Sequence, residues 1–594
     1  MTKVKRMLAI FMTLAMVLSM TIAMSATAFA AEAKPADTSI SVTGLETGDT
    51  VNFYQVLKFS ENANATGGWV AADGFTLTTD EIQKILGLGD YAAGKSKADQ
   101  AGIDATLAGR IAQMAQTAGT DAAKFKDVAV SSGAATQATT AVGDAGLYVA
   151  LVTPGTTNYL YNPVFVGADY NAGGTNSQAA VTSLSYQPEA LAKKEDVTFT
   201  KEINGVENTK YDVNVGDTVG FTINSKVPAF SSAYQNPTYI ITDTTEEGLE
   251  IQGTPAVAMA GLTGNNALVA ADYTVAVNAN KRSFTVTLNA SGLAKVRNTG
   301  VAQAITVTYN AKVTSLEDAT VTEKENEANV KFSNNPEDSS SYSLLEDKTR
   351  TYSFTIDGNL LGYDGTSYET DELIKVGLNA DGTPATVKKK YHSGTTWTEL
   401  SPLGGAEFTL YTDSGLTTPY SNSKITNGKV QSDGNGRIKI EGLDAGVYYL
   451  KETSAPAGYI ADDRTFTITI AAEYETINAG EYTNSDGIKV KYDAYKVLKK
   501  YTVTVNDGTN DVVSTYNIEN KGPVDHKVVD KATYQTITGE HFAGDSVTPI
   551  NNTKGTELPS TGGIGTVIFY VLGAALVIGC GVVLVSRRRI QDNK

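Results

Sequence analysis

The chain has 594 residues, enough for three or four ordinary domains, and 41% hydrophobic content, which excludes wholesale disorder. Its 48 basic and 65 acidic side chains give a formal charge of −17, which repels phosphate backbones and argues against nucleic acid as a partner. One cysteine, Cys580, excludes a disulfide framework or Cys-rich zinc site, and three scattered histidines, His392, His526 and His541, give no reason to expect a metal or cofactor.

Residues 1–30 open with Lys3, Lys5 and Arg6, continue as an apolar run from Met7 to Met24, and end in Ala28-Phe29-Ala30. A basic start, an apolar middle and small residues at −3 and −1 predict a secretory signal cut after Ala30. Residues 31–190 form the first expected module. Strands are predicted at Ser39–Val42, Val51–Val56, Gly146–Val152 and Asn162–Val166. Between them lies a helical insert, with Thr79 or Asp80 as the N-cap of its first segment. Ile103, Leu107, Ile111 and Met114 mark the apolar face of the second. Phe53-Tyr54-Gln55 and Tyr161-Asn162-Pro163 resemble the N-terminal domain of sortase-assembled pilins, although the same residues are ordinary in strands.

Residues 191–345 are the second module. In its opening strand Val197, Phe199, Lys201 and Ile203 share one parity and therefore one face. A lysine on an apolar face is costly unless it is neutral or paired. Asp243 falls on the Tyr239/Ile241 face of a later strand, and Asn326 on the face of Ala328, Val330 and Phe332. From parity alone the simplest reading is a buried Lys201–Asp243 salt bridge with Asn326 as a hydrogen-bond partner. The segment also resembles the middle domain of backbone pilins. That resemblance implies that the Lys201 amine and the Asn326 side chain condense into an intramolecular isopeptide bond, with Asp243 as the acid.

Residues 346–555 are the third module. Gly405–Tyr411, a Gly-rich turn at Ser432–Gly436 and the run Leu443-Asp-Ala-Gly-Val-Tyr-Tyr-Leu-Lys-Glu-Thr-Ser-Ala-Pro-Ala-Gly-Tyr459 resemble the B-type repeat of Gram-positive collagen adhesins, an inverse immunoglobulin-like sandwich. Glu452 shares parity with Tyr448 and Leu450 and occupies the position of that family's catalytic acid. The lysine matches best at Lys375, in Glu372–Val376. Two asparagines remain open: Asn552, favoured although Pro549 weakens its strand, and Asn520, in the cleaner alternation Tyr516–Gly522. Residues 382–402 are expected to form an extension before the sandwich.

Residues 556–594 contain Leu558-Pro559-Ser560-Thr561-Gly562, an apolar run from Ile564 to Val585 long enough to span a bilayer, and Arg587, Arg588 and Arg589, which hold that end in the cytoplasm. This array resembles the cell-wall sorting signal of Gram-positive surface proteins. The resemblance implies that a sortase cysteine attacks the Thr561 carbonyl, releases Gly562 and passes the acyl group to an amine. In related pilins the accepting lysine lies near the boundary of the first two domains. The usual Tyr-Pro-Lys-Asn wording is absent here, and Lys193 or Lys194 is the candidate.

The expected fold is all-β: tandem immunoglobulin-like sandwiches, a small helical insert in the first, and one C-terminal transmembrane helix. The expected role is a non-enzymatic shaft subunit of a cell-surface pilus used for adhesion, with sortase, further copies of the chain and peptidoglycan as partners, and with the membrane only before sorting. The alternative is a monomeric wall-anchored adhesin.

Overall fold

The computed structural model describes residues 39–60, 63, 66–88, 102–131, 136–155, 158–169, 184–204, 211–316, 321–358, 373–386, 389–393, 396–519, 533–535, 548–555 and 564–591. The described chain is mostly strand. Its strands follow from alternation of apolar and polar residues, which drives one face of each inward.

In the first module Thr50–Phe59 pairs with Gly146–Thr153, matching Val51 with Val152 and Phe53 with Ala150. The run Gly146–Thr153 is apolar throughout because both its faces are covered. Tyr148, Ala150 and Val152 pack with Ile40 and Val42 of a small second sheet. Leu147, Val149 and Leu151 pack with Leu107, Ile111, Ala112 and Ala115 of a helix. That helix is Ala105–Ala118, capped by Asp104, so Ile103 lies just before it rather than on its face. The other helix is Thr79–Leu86, and its N-cap is Thr78, one or two residues before the expected position. Thr78 and Glu81 make a reciprocal capping box, which satisfies two orphan N–H groups.

The second module is a sandwich. One sheet runs Phe199–Asn204, Thr218–Val227, Gln303–Val313, Leu249–Ala258. The facing sheet runs Tyr273–Val277, Ser283–Leu288, Tyr239–Thr245, Val321–Ser333, Tyr342–Gly358. A helix, Ala290–Thr299, has no counterpart in the sequence reading. It is capped by Asn289 and buries Gly292, Leu293 and Val296, too few apolar residues to leave a periodic signal.

The strand Tyr342–Gly358, 17 residues long, joins the second and third modules. It pairs with Val321–Ser333 along its length and, near its end, with Ile438–Leu443 of the third module. The hairpin Gly480–Thr483/Lys489–Tyr492 extends the same sheet, with Leu344 opposite Val490. The third module's large sheet contains Glu407–Tyr411, Gly446–Ser454, Thr465–Ile477, Tyr495–Asn506 and Asp511–Glu519. Leu373–Leu378 runs parallel to Thr548–Lys554. Lys389–Ser393 and Thr396–Leu400 form a separate two-stranded hairpin within the expected extension. The C-terminal helix Ile564–Gln591 contains a span, Tyr570–Arg589, long and apolar enough to cross a membrane.

Candidate functional site: two buried lysine–carboxylate–asparagine clusters

Lys201 and Tyr309 project from one sheet of the second module, and Asp243 and Asn326 from the facing sheet. Lys201 follows Val197 and Phe199 on the inward face, so burying that row carries the lysine in with it. Its strand register sets Lys201 opposite Ile223, and the next pairing sets Phe221 opposite Tyr309. Asp243 and Asn326 come from adjacent strands, with Thr245 opposite Asn326 and Asp243 opposite Ala328. The Lys201 and Asp243 side chains are 0% exposed and form an ion pair through Oδ2. Lys201 Nζ also donates to the Tyr309 hydroxyl at 2.8 Å, which donates to Asp243 Oδ2 at 2.8 Å. Asn326 Nδ2 donates to the same hydroxyl at 2.6 Å. The Tyr309 ring stacks on Phe221 and meets Phe284 edge-on, which fixes its position.

The third module repeats the cluster with different parts. Parallel pairing sets Lys375 opposite Ile550 and Gly377 opposite Asn552, so Lys375 and Asn552 are diagonal neighbours on one face. Glu452 joins them from the strand Gly446–Ser454. Its Oε2 accepts from Lys375 Nζ at 2.7 Å and from the Asp462 backbone N–H at 2.8 Å. Its Oε1 accepts from Asn552 Nδ2 at 2.8 Å. The Lys375 and Glu452 side chains are 0% exposed. Pro549 is tolerated because, among the described residues, its stretch of strand is paired only on the Leu373–Leu378 side, whereas Tyr459–Ile460 joins at Thr553 and Lys554.

Burial dominates the electrostatics. It drives the Lys201 amine below its ordinary value against the opposing pull of Asp243, and it drives the Asp243 carboxyl above its own. Burial lowers the Lys375 amine in the same way. Both effects in the first cluster favour moving a proton from amine to acid, leaving a neutral nucleophile beside a carboxamide. Among the described residues Asn326 Oδ1, Asp243 Oδ1 and Asn552 Oδ1 are buried without a hydrogen-bond partner, each at a cost of roughly 1–3 kcal/mol. In both clusters the amide nitrogen is held while the amide carbonyl oxygen, where negative charge develops on attack, is left open.

Lys193 and Lys194 are exposed at the joint of the first two modules. Lys193 Nζ donates to the Gly300 carbonyl at 3.2 Å. Lys194 pairs with Glu46 and lies over the Tyr159 ring. Asn520, the Leu558–Gly562 pentapeptide and the signal segment lie outside the described residues. The sequence reading missed Tyr309 and the Asp462 amide. Tyr309 had a signal: it continues the inward row Ile305, Val307, Tyr309, Ala311, and a buried phenol needs a partner.

Comparison with known proteins agrees with this architecture. Residues 215–336 match the Gram-positive pilin backbone subunit 2, Cna-B-like domain, residues 393–484 a prealbumin-like fold domain, and residues 550–592 an LPXTG cell wall anchor motif. The chain is 26% identical over 467 residues to the trypsin-resistant surface T6 protein of Streptococcus pyogenes serotype M6, covering 75% of this chain and 79% of that one. It is similar in structure to the T6 backbone pilin of serotype M6 Streptococcus pyogenes, at 17% identity and a TM-score of 0.50, covering 89% of this chain and 100% of that one. It is also similar to the full-length major pilin SpaD of Corynebacterium diphtheriae, at 17% identity and a TM-score of 0.41, covering 87% and 98%. The structural likeness shows a shared modular fold, and the matched domains are those of Gram-positive backbone pilins and wall-anchored surface proteins. The chain thus carries a pilin-backbone Cna-B-like domain, a prealbumin-like domain and an LPXTG cell wall anchor motif, and it is similar over most of its length to the T6 surface protein.

Proposed function

We propose that this chain forms the shaft of a covalently polymerised pilus, and that its second and third modules are each locked by a self-made isopeptide bond, Lys201–Asn326 and Lys375–Asn552. The observation that carries this reading is the pair of fully buried clusters in which a lysine, an acid and an asparagine meet on apolar ground. The neutral lysine nitrogen attacks the asparagine Cγ, a C–N bond forms, the Cγ–Nδ2 bond breaks, and the departing nitrogen leaves as ammonia with a proton supplied through the acid. Asp243 serves in the second module and Glu452 in the third. Asn552 is preferred to Asn520 because its amide already reaches Glu452.

A sortase cleaves between Thr561 and Gly562 and joins the Thr561 carbonyl to Lys193 or Lys194 of another copy, or finally to peptidoglycan. That contact is head-to-tail and heterologous, so it propagates as a filament. Load then passes through modules 191–345 and 346–555, the two that hold clusters, while module 31–190 stands beside the path. The chain contributes no enzyme activity toward other molecules in this account. Expression of the Lys193→Arg/Lys194→Arg double variant tests the polymer: it keeps the charge but removes a usable amine. The expected result is loss of the multimer ladder in boiled detergent gels with monomer still at the wall. A persisting ladder assigns the linkage to another lysine, and no ladder from the wild type favours the monomeric adhesin.

A further inference from the structure

We propose that Tyr309 is a catalytic residue of the second module's cross-linking reaction, relaying a proton between Asp243 and the departing amide nitrogen of Asn326. The inference rests on the isopeptide reading given above.

The phenol hydroxyl touches each participant. It accepts from Lys201 Nζ at 2.8 Å and from Asn326 Nδ2 at 2.6 Å, and it donates to Asp243 Oδ2 at 2.8 Å. A buried core tyrosine needs only one partner to be satisfied. The third module explains why the second needs a bridge. Glu452 contacts lysine and asparagine amide directly, through Oε2 and Oε1. Asp243 is one methylene shorter, and the described hydrogen bond from Asn326 Nδ2 goes to the Tyr309 oxygen instead. The hydroxyl thus occupies the place that the longer acid fills itself. Stacking on Phe221 and the edge contact with Phe284 hold the ring without help from the hydroxyl.

The steps balance. Lys201 enters as a neutral amine, and Asp243 as a protonated acid. As the Lys201 nitrogen bonds to Asn326 Cγ, the Tyr309 O–H proton passes to Asn326 Nδ2, and Asp243 returns a proton to the Tyr309 oxygen. Cleavage of Cγ–Nδ2 releases ammonia, carrying two amide hydrogens and the one from Tyr309. The Lys201 nitrogen gives its surplus proton to the Asp243 carboxylate. Tyr309 and Asp243 end as they began, and the products are one secondary amide and one ammonia.

The test is a labelled pulse of cell-free synthesis of the full chain in detergent, with both linked peptides quantified over time by mass spectrometry. Tyr309→Phe keeps the ring and removes the relay. The Lys201–Asn326 link should form about 100-fold more slowly, the size of a typical general acid–base contribution. The Lys375–Asn552 link in the same molecules should form at the wild-type rate, and Tyr309→Phe protein that has finally linked should melt like the wild type. Linkage at the wild-type rate in Tyr309→Phe overturns the role of Tyr309 and leaves the isopeptide reading standing. No Lys201–Asn326 link in the wild type removes both. Asp243→Glu/Tyr309→Phe is the second variant, judged folded by trypsin resistance of the second module. Faster linkage than in Tyr309→Phe supports the bridging role, and a folded double variant that is no faster overturns it.

Discussion

Glu452→Gln is the most informative single change in the third module. Glu452 accepts three hydrogen bonds, from Lys375 Nζ, the Asp462 amide and Asn552 Nδ2, at 2.7 to 2.8 Å. The amide is nearly isosteric but cannot carry the proton that polarises Asn552, so Lys375 and Asn552 should stay separate. The proposed Lys375–Asn552 bond would close a loop of roughly 180 residues, and removing a cross-link of that span frees about 5 kcal/mol of chain entropy in the unfolded state. At about 2–4 °C per kcal/mol for a domain of this size, the third module should melt roughly 10–20 °C lower. Glu452→Ala adds the cost of an uncompensated buried lysine, about 3–5 kcal/mol. Measured against the mass calculated from its own sequence, either variant should lack the one-ammonia deficit that this bond gives the wild type, and tryptic mapping should recover Lys375 and Asn552 on separate peptides. A Glu452→Gln protein that keeps the wild-type ammonia deficit and melting profile refutes the assigned role, and a linked peptide containing Asn520 moves the acceptor to that residue.

Asp243→Ala should leave Lys201 and Asn326 unlinked and restore one ammonia of mass, with the third module's bond intact as an internal control. The joint between the second and third modules should be pH-sensitive. Burial pushes the Asp347 carboxyl up to about 7 although it accepts from the Lys201 and Lys348 amides. An acid raised on folding binds an extra proton in the folded state, so its stabilisation is complete below the ordinary carboxylate range and is lost as pH rises through about 7. Thermal melting should give a higher Tm at about pH 5 than at about pH 8, and Asp347→Asn should shrink the difference; an unchanged difference removes Asp347 as its source. Thr78→Ala breaks the capping box and should cost the first module about 1 kcal/mol in chemical denaturation, whereas no change would mean the helix is held by packing alone.

Period-2 alternation made the inward residues legible. Lys201, Asp243, Asn326 and Glu452 were each assigned to a buried face by the parity of their neighbours, and all four are buried. Alternation says which face a side chain takes but not which strand lies across from it. Tyr309 belongs to an equally regular row, yet its meeting with Lys201 depends on how two sheets are stacked, which no local pattern encodes. Pro549 argued against the Asn552 strand because proline lacks an N–H, and only the observed one-sided pairing removes the objection. The shared strand Tyr342–Gly358 was hidden for a related reason: its centre buries Glu346, Asp347, Lys348 and Arg350, with a Lys348–Glu346 ion pair inside the strand and Arg350–Glu325 and Lys201–Asp347 contacts to the second module, so it does not read as an apolar core strand. The helix insert was visible from spacing, but its cap shifted because Glu81 selects Thr78 three residues before it.

The most direct measurement is mass-spectrometric mapping of cross-linked peptides from pilus multimers stripped from the wall. Each copy should carry Lys201–Asn326 and Lys375–Asn552 links, and a Thr561 carbonyl should be joined to Lys193 or Lys194 between copies. Multimers in which Lys201 and Lys375 are recovered as free amines would contradict this.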